Sequence, residues 1–460
     1  MPANPSAFRS HRLKVVLSLL LAWSGTLHSG CDRKNQDGPI RLELWTLALR
    51  PRFTHYMEDL IARFERQRPD IDVVWVDVPF DAVQRKYLAA AAARRAPDVI
   101  NLSDGFYSRF VALGGVADLR AHLPGDPDQT YLPGALRLCR IDGKLHALPW
   151  YLGISVAFVN EKLLAEGGLS RQTLGTDWPT LRRQAEDFHR RTGKFLFCYM
   201  LGQETRLPQA ILQQGLSPLR PKTSGEGLES NLDDPQILRF VSDWVEFYRR
   251  GAMPTEAAVG GHGPMIDLYQ NGQTAMLITG ANFLERIRDA APDVYRHTAV
   301  LPAPRGAAGK FDIATMLLCV SSQSQHPREA AELAWFITNP ENQLAFARIV
   351  NILPSTPASL RDPHFAFPPD PEQDKLGYAR ALSAQSLAEA QSFILPLAAW
   401  PELGRAFEER IKAALLDGAD VARTLSQISR DWNRILDSYA PATLVSDPVS
   451  GTHQTGKGAS

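Results

Sequence analysis

Between Ile40 and Leu102 the apolar pattern alternates between two periods, and that succession restricts the fold more than any other feature of the chain. Ile40, Leu42 and Leu44 alternate with Arg41 and Glu43, a period of two that predicts a short strand. Phe53, Met57, Leu60, Ile61 and Phe64 then fall on one helical face, and Pro69-Asp70 ends the pattern. Ile71 to Val78 is nearly continuous apolar chain, interrupted by Asp72 and Asp77 and rich in β-branched residues; it suits a strand covered on both faces. Val83 to Arg95 is alanine-rich and favours helix. Pro97-Asp98 introduces a third strand, Val99 to Leu102. A β-α-β-α-β order implies a parallel sheet with helices on both faces. Ligands in such sheets sit beyond the carboxyl ends of the strands, where Trp45-Thr46 and Ser103-Asp104 lie.

The chain of 460 residues is too long for one core and suits two. Asp142-Gly143 marks a turn, and an apolar strand, Ile154 to Val159, follows Pro149; a change of lobe is expected there. The middle, about 160 to 297, reads as mostly helical, with Val241, Trp244, Val245 and Tyr248 on one stripe and Thr274 to Thr279 as a strand. A return to the first lobe is expected near Thr298 to Pro302. Ile313 to Val320 is apolar again, Asn339-Pro340 caps a helix, and Phe407 to Leu415 and Val421 to Ile435 mark two closing helices.

The first residues carry an export pattern. Arg9, His11, Arg12 and Lys14 precede an apolar run, Val15 to Trp23, too short to span a bilayer, and Ser29-Gly30 leads to Cys31. That order looks like a bacterial lipobox, with cleavage before Cys31 and lipid on its thiol; ordinary secretion is the other reading. Lipidation with two or more chains would anchor the protein to a membrane. Removing the leader takes away Arg9, Arg12 and Lys14 and no acid, leaving 47 basic and 50 acidic residues. A near-neutral chain argues against nucleic acid as partner. Cys139, Cys198 and Cys319 remain, an odd number that fits three buried apolar thiols and permits at most one disulfide.

No catalytic or metal motif stands out. The chain has no H-E-x-x-H, P-loop, G-x-G-x-x-G or G-x-S-x-G, so Gly260-Gly261-His262-Gly263 reads as a flexible loop rather than an oxyanion element. Glu408-Glu409 reads as a solvated helix face. No metal or cofactor is expected.

Several segments in order resemble the extracellular solute-binding proteins of ABC sugar importers, the maltose-binding-protein-like group. They are Leu42 to Thr46, Ala96-Pro97-Asp98-Val99-Ile100, Gly143 to Trp150, Val159 to Leu164, Gly272-Gln273-Thr274-Ala275-Met276, Leu301-Pro302-Ala303-Pro304 and Asn351 to Ser355. Two places depart from the group: Gly280-Ala281-Asn282-Phe283 stands where a G-x-W is common, and Ile313-Ala314-Thr315 where a Gly-Gly pair is common. Both usually face ligand, which leaves open a ligand other than an ordinary maltose-like sugar.

The resemblance implies an α/β fold of two lobes, each a mostly parallel sheet flanked by helices, with ligand in the cleft between. The expected organisation is a signal peptide at 1–30, a tether at 31–38, lobe 1 from 39–140 and 298–341, lobe 2 from 141–297 and 342–442, and a disordered tail at 443–460. Ligand-facing candidates are Trp45, Thr46, Asp104, Trp150, Tyr151, Asn282, Thr315 and Trp400. Trp45 fits cleft or core equally, Asp104 and Asn282 also fit turns, and Trp400 also fits packing on the helix it precedes. Adjacent aromatics in a strand point to opposite faces, so one of Trp150 and Tyr151 should face ligand. Trp150→Ala is expected to abolish ligand stabilisation and leave the fold intact. The implied protein is a monomeric, lipid-anchored carbohydrate-binding protein on the outer face of the cytoplasmic membrane, delivering its solute to the transmembrane subunits of an ABC permease without chemistry. A polyamine, polyol phosphate or peptide ligand, an exported glycoside hydrolase, and a lipid-anchored sensor or adhesion protein without a transporter are the alternatives.

Overall fold

The structure, a computed structural model, describes residues 38–439; the leader, Cys31, most of the tether and the tail from 443 lie outside the described residues. The opening pattern folds as its periods require. Strand Ile40–Leu47 runs parallel to Ile71–Val78 in register from Ile40↔Ile71 to Leu47↔Val78, with Val99–Ser103 parallel on its other side. Helix Thr54–Gln67 buries Met57, Leu60, Ile61 and Phe64, the face predicted from their spacing.

The sheet continues through two long strands, Leu148–Asn160 and Phe311–Val320. Phe311–Val320 is antiparallel both to Val99–Ser103 and to the first half of Leu148–Asn160. The second half of Leu148–Asn160 pairs with Thr274–Gly280 on one side and Thr298–Pro302 on the other, and Phe195–Phe197 closes the far edge. The ten-stranded sheet is therefore one hydrogen-bonded structure that serves two hydrophobic cores. Leu148, Leu152 and Ile154 belong to the first core and Val156, Phe158 and Val159 to the second. Pro149 is tolerated inside this 13-residue strand because it borders a bulge opposite Met316 and Leu317. Its carbonyl accepts the Ser355 hydroxyl at 2.6 Å.

The first core spans buried residues from Leu42 to Ile154 and from Phe311 to Phe365; the second spans Val156 to Val300 and Ala379 to Trp432. Strand Thr298–Pro302, where the sequence suggests a return to the first lobe, pairs with Val156–Asn160, and its Val300 lies in the second core. The two closing helices, Trp400–Leu416 and Val421–Asp437, bury Phe407, Ile411, Leu425, Ile428 and Trp432 as their stripe predicts. A side-chain cap starts the helix that the sequence marks at Asn339, which accepts the Asn342 N–H at 2.8 Å; Asp420 caps the last helix in the same way, accepting the Arg423 N–H at 2.8 Å. Cys139, Cys198 and Cys319 are buried free thiols. Among the described residues no helix is long and apolar enough to cross a membrane.

Candidate ligand-binding site

Where the two cores meet, one face of the long strands stays accessible. Ile154 pairs with Ile313 and Leu152 with Thr315, and these four side chains are buried. Alternation turns the intervening positions the other way. Tyr151 opposite Met316, Gly153 opposite Ala314, and Ser155 beside Asp312 are half-buried, or exposed at Ala314. The register carries on to Gly280 opposite Ser155. Gly153 and Ala314 leave this face bare, since a Cβ at Gly153 would meet nothing within 4 Å. Tyr151 and Met316 stand at one end of the bare stretch, and Asp312 at the other.

The strand alternation expected at Trp150-Tyr151 is overridden by the bulge, which places Trp150 between two paired residues. Both rings consequently lie together, 5.2 Å apart, and both meet Phe346, at 5.5 and 5.7 Å. Trp150 is 0% exposed and stacked on Phe346, and its Nε1 has no partner among the described residues; Tyr151 is the half-buried member of the pair. The expectation that Trp150→Ala would spare the fold is thereby corrected: the indole is a core group.

On the first-core side, polar groups are consumed by the local backbone. Asp104 follows strand Val99–Ser103 and extends its ladder with a side chain: Oδ2 accepts the Thr315 N–H and Oδ1 the Gly105 N–H, both at 2.8 Å. Burial pushes this carboxyl up to about 7, against the two accepted N–H bonds, and the neighbouring Asp312 carboxylate adds to the rise. Thr46 is fully buried, donating to Asp77 at 2.8 Å and accepting from the Trp75 indole at 2.7 Å. Asp77 also accepts the Leu49 and Arg50 N–H groups, at 3.0 Å each. Trp45 is buried with its indole donating to Glu43 and the Lys86 ammonium 5.8 Å from its ring.

The second-core side is built differently. Glu204 and Thr205 have φ of 55° and 56°, two consecutive non-glycine residues in left-handed conformation immediately before helix Arg206–Gln213. Such backbone is unfavourable unless its surroundings over-determine it. Here Glu408 accepts the Thr205 N–H at 2.6 Å, and Glu204 accepts the His262 N–H at 3.0 Å. The expected solvated face at Glu408 is corrected: the side chain is half-buried, burial raises its pKa, and only Glu409 is exposed. The Gly260 to Gly263 segment is likewise not an untethered loop, because His262 opens helix His262–Gln270. Its Nε2 lies 2.8 Å from Thr279 Oγ1, its ring meets Phe283 edge-on at 4.7 Å, and burial lowers its pKa, favouring the neutral imidazole.

Arg206 joins this loop to the accessible face. Its Nη1 lies 3.3 Å from Asp312 Oδ2 and 3.4 Å from Gln209 Oε1, and Nη2 is 3.8 Å from Glu204. Its Nε is buried and has no partner among the described residues. Burial raises the Asp312 pKa and Arg206 opposes the rise. Asn282, half-buried, folds back over Gly280, where a Cβ would come 2.5 Å from its Oδ1. A second link between the two sides is the ion pair of Arg52 with Glu285.

Of the sequence candidates, Tyr151, Asp104 and Asn282 border this region; Asp312, Arg206 and Glu204 carried no sequence signal, and His262 was read only as part of a flexible loop. Thr315 supplies its backbone N–H to Asp104, but its side chain is on the buried face, where Oγ1 has no partner among the described residues. Trp400 is 2% exposed and packs 6.4 Å from Trp432 in the second core. Among the described residues no group of His, Cys, Asp and Glu is placed to hold a metal ion.

A sheet shared by two cores, with an accessible polar face where they meet, defines a two-lobe binding protein. The bacterial extracellular solute-binding protein family matches residues 59–373, and the chain belongs to that family. A solved structure from Synechococcus sp. MITs9220, of a candidate oligosaccharide periplasmic-binding protein, is 32% identical, covers 86% of this chain and 99% of that one, and superposes with a TM-score of 0.78. The chain has the two-lobe α/β architecture expected from its sequence. An uncharacterized lipoprotein in the oleD 5′ region of Streptomyces antibioticus is 25% identical over 97% of this chain and 96% of its own. The galactooligosaccharide-binding protein of Bacillus subtilis strain 168 is 22% identical over 76% of this chain and 81% of its own.

Proposed function

We propose that the protein captures an oligosaccharide in the cleft between its two lobes and releases it chemically unchanged to a membrane permease. The observation that carries this reading is the accessible face of the crossing strands. A saccharide offers C–H faces and hydroxyls together, and the face offers both partners: a bare stretch at Gly153 and Ala314 beside the Tyr151 ring, then the Asp312–Arg206 pair. Closing the lobes over it would place these hydrogen bonds in a water-poor space, where a mismatched hydroxyl is costly. The oligosaccharide relatives support the same ligand class. We assign lobe 1 to the first core and lobe 2 to the second, with Tyr151 and Asn282 as the ligand-facing members of the sequence candidates. The lipobox-like Ser29-Gly30-Cys31 and the lipoprotein relative support a lipid anchor on the exported protein.

A thermal-denaturation screen against neutral oligosaccharides tests the reading. A ligand at a hundred times its dissociation constant adds about 2.7 kcal/mol of stability. Mass spectrometry of the recovered ligand should find it intact; cleavage products, or no stabilising sugar in the panel, would reject the proposal. Replacing Cys31 with serine should move the protein from the membrane fraction to the soluble one.

A further inference from the structure

Glu408 lies one helical turn beyond Gly404 on helix Trp400–Leu416, so the two form a notch and a post on one helix face. Thr205 occupies the notch. A Cβ at Gly404 would fall 2.5 Å from Thr205 Oγ1 and 2.8 Å from its Cγ2, while Glu408 Oε1 takes the Thr205 N–H at 2.6 Å. Thr205 is the second of the two left-handed residues, and the next residue is Arg206. Left-handed backbone is costly for a β-branched residue, so without an external clamp this turn would relax toward a commoner conformation. Relaxation would rotate the first turn of helix Arg206–Gln213 and carry the guanidinium away from Asp312. The clamp is not needed for the hydrophobic core around it, because Phe407 and Ile411 of the same helix are buried independently of Glu408. Of the guanidinium donors, the Nη1 group is engaged by Asp312 and Gln209 and the Nε–H is buried without a partner among the described residues, while 33% of the side chain remains exposed.

We propose that Glu408 is a positioning residue for ligand recognition: by clamping Thr205 in the Gly404 notch it holds Arg206 against Asp312 with its partly exposed side chain set to meet a ligand oxygen. The proposal rests on the reading of the accessible face as the saccharide site. It makes Arg206 the group that discriminates among sugars by the placement of one acceptor, and Glu408 the reason that discrimination is sharp.

The test is a double-mutant cycle read by calorimetric titration with the best-binding neutral oligosaccharide of the screen. Glu408→Ala should weaken binding by about tenfold. Glu408→Gln should restore most of the affinity, since its amide oxygen can still accept the Thr205 N–H. In an Arg206→Ala background, Glu408→Ala should change affinity by less than about twofold, because its effect passes through Arg206. Equal losses in both backgrounds would overturn the proposal and reduce Glu408 to a structural group. A ligand-free readout accompanies the cycle: the Arg206 Nε–H resonance should shift in Glu408→Ala and stay in place in Glu408→Gln. An unmoved resonance in Glu408→Ala also overturns the proposal. A wild-type protein that binds none of the sugars overturns the saccharide reading instead, while the resonance still decides whether the clamp exists.

Discussion

The two sides of the cleft use their polar residues in opposite ways. On the first-core side, Asp104 gives both oxygens to backbone N–H groups, and Asp77 takes a hydroxyl and two N–H groups. These carboxylates finish the ends of parallel strands and have little capacity left over. On the second-core side, the left-handed residues Glu204 and Thr205 are tied to the His262 N–H and to Glu408, and the product is an arginine held on Asp312 with its side chain partly exposed. The first side supplies a rigid edge. The second stores strain and presents hydrogen-bonding capacity, the division expected where recognition requires preorganised groups and stability requires satisfied ones.

The largest expected effect separates core from cleft within one dipeptide. Trp150→Ala should lower unfolding free energy by about 3–5 kcal/mol in chemical denaturation, since a fully buried indole stacked on Phe346 is removed. A fold left at wild-type stability would mean that Trp150 is not a core group. Tyr151→Ala should act mainly on binding, weakening saccharide affinity by about 1–2 kcal/mol with a smaller stability change. If the two variants gave the same ratio of binding loss to stability loss, the distinction between their faces would collapse.

The contrast also has a pH signature. The Asp104 carboxyl is raised from its ordinary value to about 7, so between about pH 4 and pH 7 the folded state holds more protons than the unfolded one. Stability from this group is therefore present at low pH and lost as pH rises toward 7. Asp104→Asn carries no such proton. The stability advantage of wild type over Asp104→Asn should shrink as pH rises through that window, in denaturation curves taken at several pH values. A difference independent of pH would show that Asp104 is not buried as described. The smallest effect belongs to the Arg52–Glu285 pair, whose arginine is 57% exposed. Arg52→Ala should cost about 0.2–1 kcal/mol at low salt and less at high salt. A larger, salt-independent loss would indicate that this pair holds the two sides together.

Legibility followed locality. The strands and helices from Ile40 to Ser103 could be read because each is specified by its own period, and the closing helices for the same reason. The bulge at Trp150 could not, because it depends on how Leu148–Asn160 registers against a strand more than 150 residues later. Glu408 illustrates the same limit: beside Glu409 it reads as surface, and only the approach of Thr205 from a distant loop gives it a half-buried backbone partner. Asp104 was legible as a strand-end carboxylate, but not that its acceptor capacity is taken up by Thr315.

The sequence by itself determined the parallel opening, the helix stripes and caps, and the family, because these depend on residues near one another in the chain and on motifs kept in order. Tertiary structure alone decided which face of the crossing strands stays open, which aromatic of a pair is buried, and where Arg206 points. Those outcomes are set by strand register and by contacts between segments far apart in sequence, and a one-residue change of register exchanges the buried and open faces.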